Sequence, residues 1–273
     1  MKQILVATDF SASAANAMEY AMALAKVLEM EVCALHAIHP TEGINNNTYN
    51  AIFIDDYYNN KRNALKEWVG TFTAKDEYKD IEVTSICGVG FLKNVIGKYI
   101  DENHVELLVM GITGSTGITG IVGSNASMIV SVVKTPTLVI PLESKFSPTP
   151  VITLATDYET RLSAHDVDAL NEMIKAFGSG KMDVLYISAK DEAKNIETGE
   201  SRLKSLIKHT ELSFNYISAS RPLKGIMDFI SGHETDILCL VKHHHNVLYR
   251  IFNRSTVNQV MTKTVKAILV LHE

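Results

Sequence analysis

Val105–Ser124 reads VELLVMGITGSTGITGIVGS. An apolar run, Leu107 to Met110, breaks abruptly into glycines and small hydroxyl residues, and Ser124 then opens a second apolar-periodic segment. This is the pattern of a buried strand, a glycine-rich loop and a helix N-terminus. Such a loop lets backbone N–H groups approach an anion without side chains in the way, and the helix dipole adds to the attraction. The anion most often held this way is a phosphate.

Outward from that stretch, the pattern alternates. Met1–Thr8 is an apolar run ending at Asp9. Ser11 follows as a helix N-cap, and Ala14, Ala17, Met18, Ala21, Leu24, Ala25 and Leu28 recur at helical spacing. Glu31–His39 is a second short strand, so the chain opens β-α-β with a right-handed crossover. Thr41–Asn60 is rich in Asn, Tyr and Asp and has no single period. It reads as a surface excursion with a short turn of helix, serving either as a lid or partner contact or as a variable loop. Lys61–Phe72 is helical, with Leu65, Trp68 and Val69 inward. Ile81–Ile86 is a strand, Gly88-Val89-Gly90 a turn, and Phe91–Ile100 a helix. Ser124–Val133 is a helix, and Thr137–Ile140 a last strand between Pro136 and Pro141. Strands alternating with helices imply a parallel sheet covered on both faces.

Ser144–Pro150 carries two prolines and reads as a linker, after which the pattern restarts. Val151–Asp157 (VITLATD) restates Gln3–Asp9 (QILVATD) at an offset of 148. Asp183–Ser188 corresponds to Glu31–Ala37, and Asp236–Leu240 to Glu106–Met110 at an offset of 130. Arg254-Ser255-Thr256 answers Gly123-Ser124-Asn125, and Ala267–Leu271 answers Pro136–Ile140, both at 131. Matches in one order at nearly constant offset mark a duplication, with α/β domains at 1–143 and 150–273. The copies differ at the loop. The first has Gly111, Gly114, Gly117, Gly120 and Gly123; the second reads Val241-Lys242-His243-His244-His245 and reaches Asn253-Arg254-Ser255 without a glycine.

Composition narrows the function. At 46% hydrophobic and 21% charged residues the chain reads as a soluble globular protein. A net charge of −5 argues against a general nucleic-acid or membrane-surface binder. Cys33, Cys87 and Cys239 lie far apart in apolar runs and read as buried, reduced thiols of a cytoplasmic protein. No signal peptide or transmembrane stretch is apparent. His243-His244-His245 does not read as a metal centre, because alternate residues of an extended run point to opposite faces. Asp157 reads as a helix cap, and His36 as a core or pocket-edge residue. No Walker P-loop, nucleophile elbow or His-Glu-x-x-His pair is present.

The duplication, the Thr8-Asp9 pair after the first strand and the glycine loop together resemble the universal stress protein family, over essentially the whole chain and in its tandem form. The family signature is Gly, two residues, Gly, nine residues, Gly, then Ser or Thr. Gly111, Gly114, Gly123 and Ser124 supply these positions, except that eight residues separate Gly114 from Gly123. The resemblance implies Rossmann-like (adenine nucleotide alpha hydrolase-like) five-stranded parallel sheets of strand order 3-2-1-4-5, with ligand where the order reverses. It further implies that Asp9 reaches ribose or adenine beside Ala7 and Thr8, and that Ala37 lines the adenine pocket through its backbone. Met110 and Gly111 would end the fourth strand, and Gly114, Gly123, Ser124 and Asn125 would hold the phosphates. The ligand would be ATP, AMP or ADP, with Mg²⁺ as the accompanying ion. The last strands would pair the two domains internally as a pseudo-dimer, with a homodimer as a further partner arrangement. Three functions stay open at this point: a nucleotide-binding stress or signalling protein, a slow ATPase at the same site, and a scaffold that works without nucleotide.

Overall fold

A computed structural model describes residues 2–42, 51–112, 124–158, 161–188, 196–219, 221–242 and 254–273. The first half runs β1 (Gln3–Ala7), α1 (Ala12–Leu28), β2 (Glu31–Ile38), α2 (Ala51–Thr73), β3 (Val83–Val89), α3 (Leu92–Glu102), β4 (Val105–Ile112), α4 (Ser124–Val132) and β5 (Thr137–Pro141). The second half repeats it as β6 (Ile152–Thr156), α5 (Ala164–Phe177), β7 (Lys181–Ser188), α6 (Ile196–Leu206), β8 (Glu211–Ser218), α7 (Pro222–Gly232), β9 (Ile237–Lys242), α8 (Arg254–Lys263) and β10 (Ala267–His272).

All ten strands form one sheet in the order β3-β2-β1-β4-β5-β10-β9-β6-β7-β8. Within each half the neighbours are parallel, and the order is the doubly wound 3-2-1-4-5. The halves meet at β5 and β10, which pair antiparallel, Ile268 opposite Val139 and Val270 opposite Thr137. Both strands are buried along their whole length, so neither half could leave this edge in water without exposing apolar side chains and open backbone groups.

Each sheet face carries its own apolar layer. Ile4, Val6, Val32, Ala34 and Val109 pack with residues of α1, α2, α5 and α6 on one side. Leu5, Cys33, Leu35, Leu108 and Ile268 pack with residues of α3, α4, α7 and α8 on the other. Among the described residues no helix is long and apolar enough to cross a membrane.

Several expectations change. Residues 51–60 are not part of a loop: α2 starts at Ala51 and runs unbroken to Thr73. Their Asn and Asp residues are weak helix formers. The helix is held instead by Leu65, Val69 and Phe72 in the core and by Tyr57, whose hydroxyl donates to Glu42 at 2.7 Å. Residues 43–50 lie outside the described residues. Gly88 and Val89 continue β3 because β2 pairs with them through Ala37 and Ile38; the turn begins only at Gly90. Cys87 is half-buried rather than buried, because β3 is an edge strand. α5 is capped by Ser163, not by Asp157.

The cysteines should report this burial. Cys33 and Cys239 are buried, and burial raises both thiols, Cys239 to about 12. Cys87 is raised too, by the same cause, but it remains partly open to solvent. In a native titration with a disulfide reagent near pH 8, Cys87 reacts first, and the other two react only as fast as the protein opens. Three equally fast thiols in the native protein would contradict this packing.

Candidate functional site

The strand order reverses between β1 and β4, and the helices that follow these two strands, α1 and α4, lie on opposite faces of the sheet. The turn that leaves β1 is built by three side-chain oxygens in succession. Thr8 Oγ1 accepts the Phe10 N–H at 3.0 Å, Asp9 Oδ1 the Ser11 N–H at 3.0 Å, and Ser11 Oγ the Ala14 N–H at 3.2 Å. The first of these bonds accompanies Phe10 at φ 65°, a left-handed backbone unusual for an aromatic residue. The second half repeats the device: Thr156 Oγ1 accepts the Tyr158 N–H at 3.0 Å, and Tyr158 sits at φ 60°.

A cleft of about 830 Å³ opens beyond this turn. Ala7, Thr8, Asp9, Ala37, Met110, Gly111 and Asn125 all line it. Gly114 and Gly123 lie outside the described residues, as does the Ser124 side chain; Ser124 is the first residue of α4. Ala7 lies opposite Leu35 on one side and Met110 on the other, so Thr8, His36 and Gly111 begin the row that forms the cleft floor.

Gly111 has a reason of its own to be glycine. A Cβ there would lie 2.3 Å from the Ser13 carbonyl oxygen and 2.8 Å from the Ala14 nitrogen. The first turn of α1 rests directly on β4, and no side chain fits between them.

His36, expected in the core or at a pocket edge, and residues that motif reasoning did not single out complete the walls. His36 is only 7% exposed, with Nδ1 2.9 Å from the Thr8 carbonyl oxygen and its ring 4.5 Å from that of Phe10. A carbonyl only accepts, so Nδ1 carries the proton, while Nε2 is buried without a hydrogen-bond partner among the described residues. His39 stands edge-on to Phe91 at 5.0 Å. At the rim Glu42 accepts the His39 N–H at 3.0 Å and the Tyr57 hydroxyl at 2.7 Å, and Lys61 Nζ lies 3.4 Å away. The Tyr57 hydroxyl, more than the other contacts, holds the Glu42 carboxyl below its usual range. Gly90 to Lys93 bring the start of α3, which lacks a side-chain cap, to the opposite wall. Of these, Glu42 and Gly90 to Lys93 follow the ends of β2 and β3, and that position is their signal in the sequence. Among the described residues no group of three His, Cys, Asp or Glu side chains is placed to hold a metal ion.

The second half differs at the matching positions. Tyr186 stands where His36 does, and Tyr158 where Phe10 does; their rings stack at 4.7 Å with 12° between planes. Asp157 is 6% exposed, whereas its counterpart Asp9 is open to the cleft.

Residues 1–141 match the universal stress protein family, over just half of the chain. The chain belongs to the universal stress protein family. Its second half carries the family's strand order beyond the matched residues, as a tandem member does. Among solved structures it is similar to a universal stress protein from Archaeoglobus fulgidus, with a TM-score of 0.77 at 18% identity over 98% of this chain and 97% of that one. A putative universal stress protein from Pseudomonas aeruginosa gives a TM-score of 0.59 at 11% identity over 99% and 92%. At these identities the likeness is one of fold. A search of curated proteins finds no match.

Proposed function

We propose that this universal stress protein binds adenine nucleotide, ATP with Mg²⁺, in the cleft of its first domain, residues 1–143. The second domain, residues 150–273, would complete the sheet without a like site, and the protein would act in stress response or signalling through its nucleotide state. One observation carries the reading: a ligand-sized cleft at the strand-order reversal, lined by seven residues that the family resemblance assigns to nucleotide. Asp9 offers a carboxylate to ribose hydroxyls, and α4 opens on the cleft at Asn125 with the positive end of its dipole. In this reading the Ala37 backbone serves the base side, and Lys61 and Lys93 the anionic side. A volume of about 830 Å³ is within the range of small-molecule sites.

Thermal unfolding tests it. ATP–Mg²⁺ at about 100 times its Kd should stabilise the protein by about 2.7 kcal/mol, a rise in Tm of about 5 °C. Asp9→Asn retains an acceptor for the Ser11 N–H and should melt like the wild type without ligand, yet lose most of the rise. No rise in the wild type with ATP, ADP or AMP would favour the nucleotide-independent scaffold. Sustained ADP release by the same sample would add hydrolysis to binding.

A further inference from the structure

The two ends of α4 meet different halves of the molecule. Its N-terminus opens on the first domain's cleft at Asn125, and its last turn carries no basic residue of its own. The carbonyls at that end are served from the second domain. Lys242, the last residue of β9, donates from Nζ to the Val130 carbonyl at 2.9 Å and to the Ser131 carbonyl at 2.6 Å. Lys242 is 5% exposed. Its backbone is fixed in the sheet, opposite His272 of β10, and its carbonyl accepts the Glu273 N–H at 3.3 Å.

The repeat makes the placement specific. At the offset of 130, Ile112 stands in the first half where Lys242 stands in the second. Ile112 has no donor to offer a facing helix, and α8, the counterpart of α4, ends on its own Lys263. The duplication has therefore diverged so that the half without the glycine loop carries the basic group, and that group serves the helix of the half that has the loop. A donor at the carbonyl end of a helix satisfies groups the helix itself leaves open, and it favours the negative end of the dipole. α4 is nine residues, about 13 Å long. A tilt at one end of so short a rigid body displaces the other.

We infer that Lys242 is a positioning residue for the ligand of the first domain. By holding the C-terminal carbonyls of α4 it sets where the α4 N-terminus meets the phosphates. The degenerate domain thus supports the nucleotide site of its neighbour across the β5–β10 junction. This rests on the nucleotide reading above.

The test is calorimetric titration of the full chain with ATP–Mg²⁺ and, separately, with adenosine. Lys242→Met should weaken ATP about tenfold while leaving adenosine unchanged, because misplacement of α4 affects only groups that meet phosphate. Lys242→Arg, which keeps the donors, should restore most of the ATP affinity. Cys239→Ala lies on the same strand but in the opposite core layer; it should lower Tm and leave ATP affinity alone. Hydrogen exchange on the wild type gives a second readout that needs no variant: by reciprocity, ATP should slow exchange in residues 237–242. Equal ATP affinity in Lys242→Met and wild type overturns the inference, as does an equal loss for ATP and adenosine, or β9 amides indifferent to ATP. A wild type that binds neither ligand overturns the nucleotide reading, and the inference with it.

Discussion

Gly111→Ala lowers the melting temperature by about 6 °C or more, corresponding to about 3 kcal/mol. The added methyl carbon would sit 2.3 Å from the Ser13 carbonyl oxygen, 2.5 Å from its carbon and 2.8 Å from the Ala14 nitrogen. All three are backbone atoms of the first turn of α1, which Ser11 caps and which packs through Ala14, Ala17 and Met18. No side-chain rotation can relieve the overlap; either α1 or β4 must move, and β4 is bonded to β1 and β5 on both sides. The comparison is Gly97→Ala in α3, where nothing lies within 4 Å of the new carbon. There the change should stabilise by about 0.5–1 kcal/mol, since alanine restricts the unfolded chain and suits a helix. Thermal melts of the two variants decide the matter, and a Gly111→Ala protein as stable as wild type would mean that α1 does not rest on β4. A corollary concerns ligand assays: loss of nucleotide binding in a Gly111 variant would report on the fold, so substitutions at Asp9 are the better probes.

Asp166→Ala costs about 3 kcal/mol, again about 6 °C in Tm. Asp166 is fully buried on the first turn of α5. Its Oδ2 accepts the Ser163 hydroxyl at 2.6 Å and the His272 N–H at 3.0 Å, while Ser163 Oγ caps the Asp166 N–H at 3.1 Å. The Ser163 N–H in turn donates to the His272 carbonyl at 3.1 Å. One carboxylate therefore ties the start of α5 to the end of β10, the strand that joins the two halves. Alanine removes the acceptor of a buried N–H and a part-buried hydroxyl at once, and bonds to a charged acceptor are the stronger kind. Asp166→Asn keeps an oxygen for one of them and should fall between, near 1 kcal/mol as a rough figure. Hydrogen exchange at His272 locates the effect: it should quicken in Asp166→Ala before exchange at the β1–β2 pair does. An Asp166→Ala variant that melts with the wild type would remove this knot from the account.

Much of this was legible in the chain. The alternation of apolar runs with helical periods dictates an α/β fold, because strands buried on both faces need helices on both sides. The ATD repeat at residues 7–9 and 155–157 reveals the duplication, and it extends to backbone detail, since the threonine in each copy accepts the N–H of a left-handed aromatic residue. Asp9, Ala37, Met110 and Asn125 fall at strand and helix ends, where the winding rule brings residues together whatever lies between them in sequence.

Tertiary structure alone decided the rest. Ala51–Asn60 has poor helix propensity and is helical because Leu65, Val69 and Phe72 anchor the helix it begins and Glu42 takes the Tyr57 hydroxyl. Glu42 and Lys61 reach the cleft from segments whose own sequences say nothing about a ligand. Gly111 reads as a phosphate glycine in the sequence, yet its constraint comes from Ser13, 98 residues away. Lys242 reads as part of a polar run, and only the antiparallel junction of β5 with β10 carries it to the end of α4. Local sequence fixes period and capping, which act over a few residues. Contacts between elements depend on how the sheet closes, and that is a property of the whole chain.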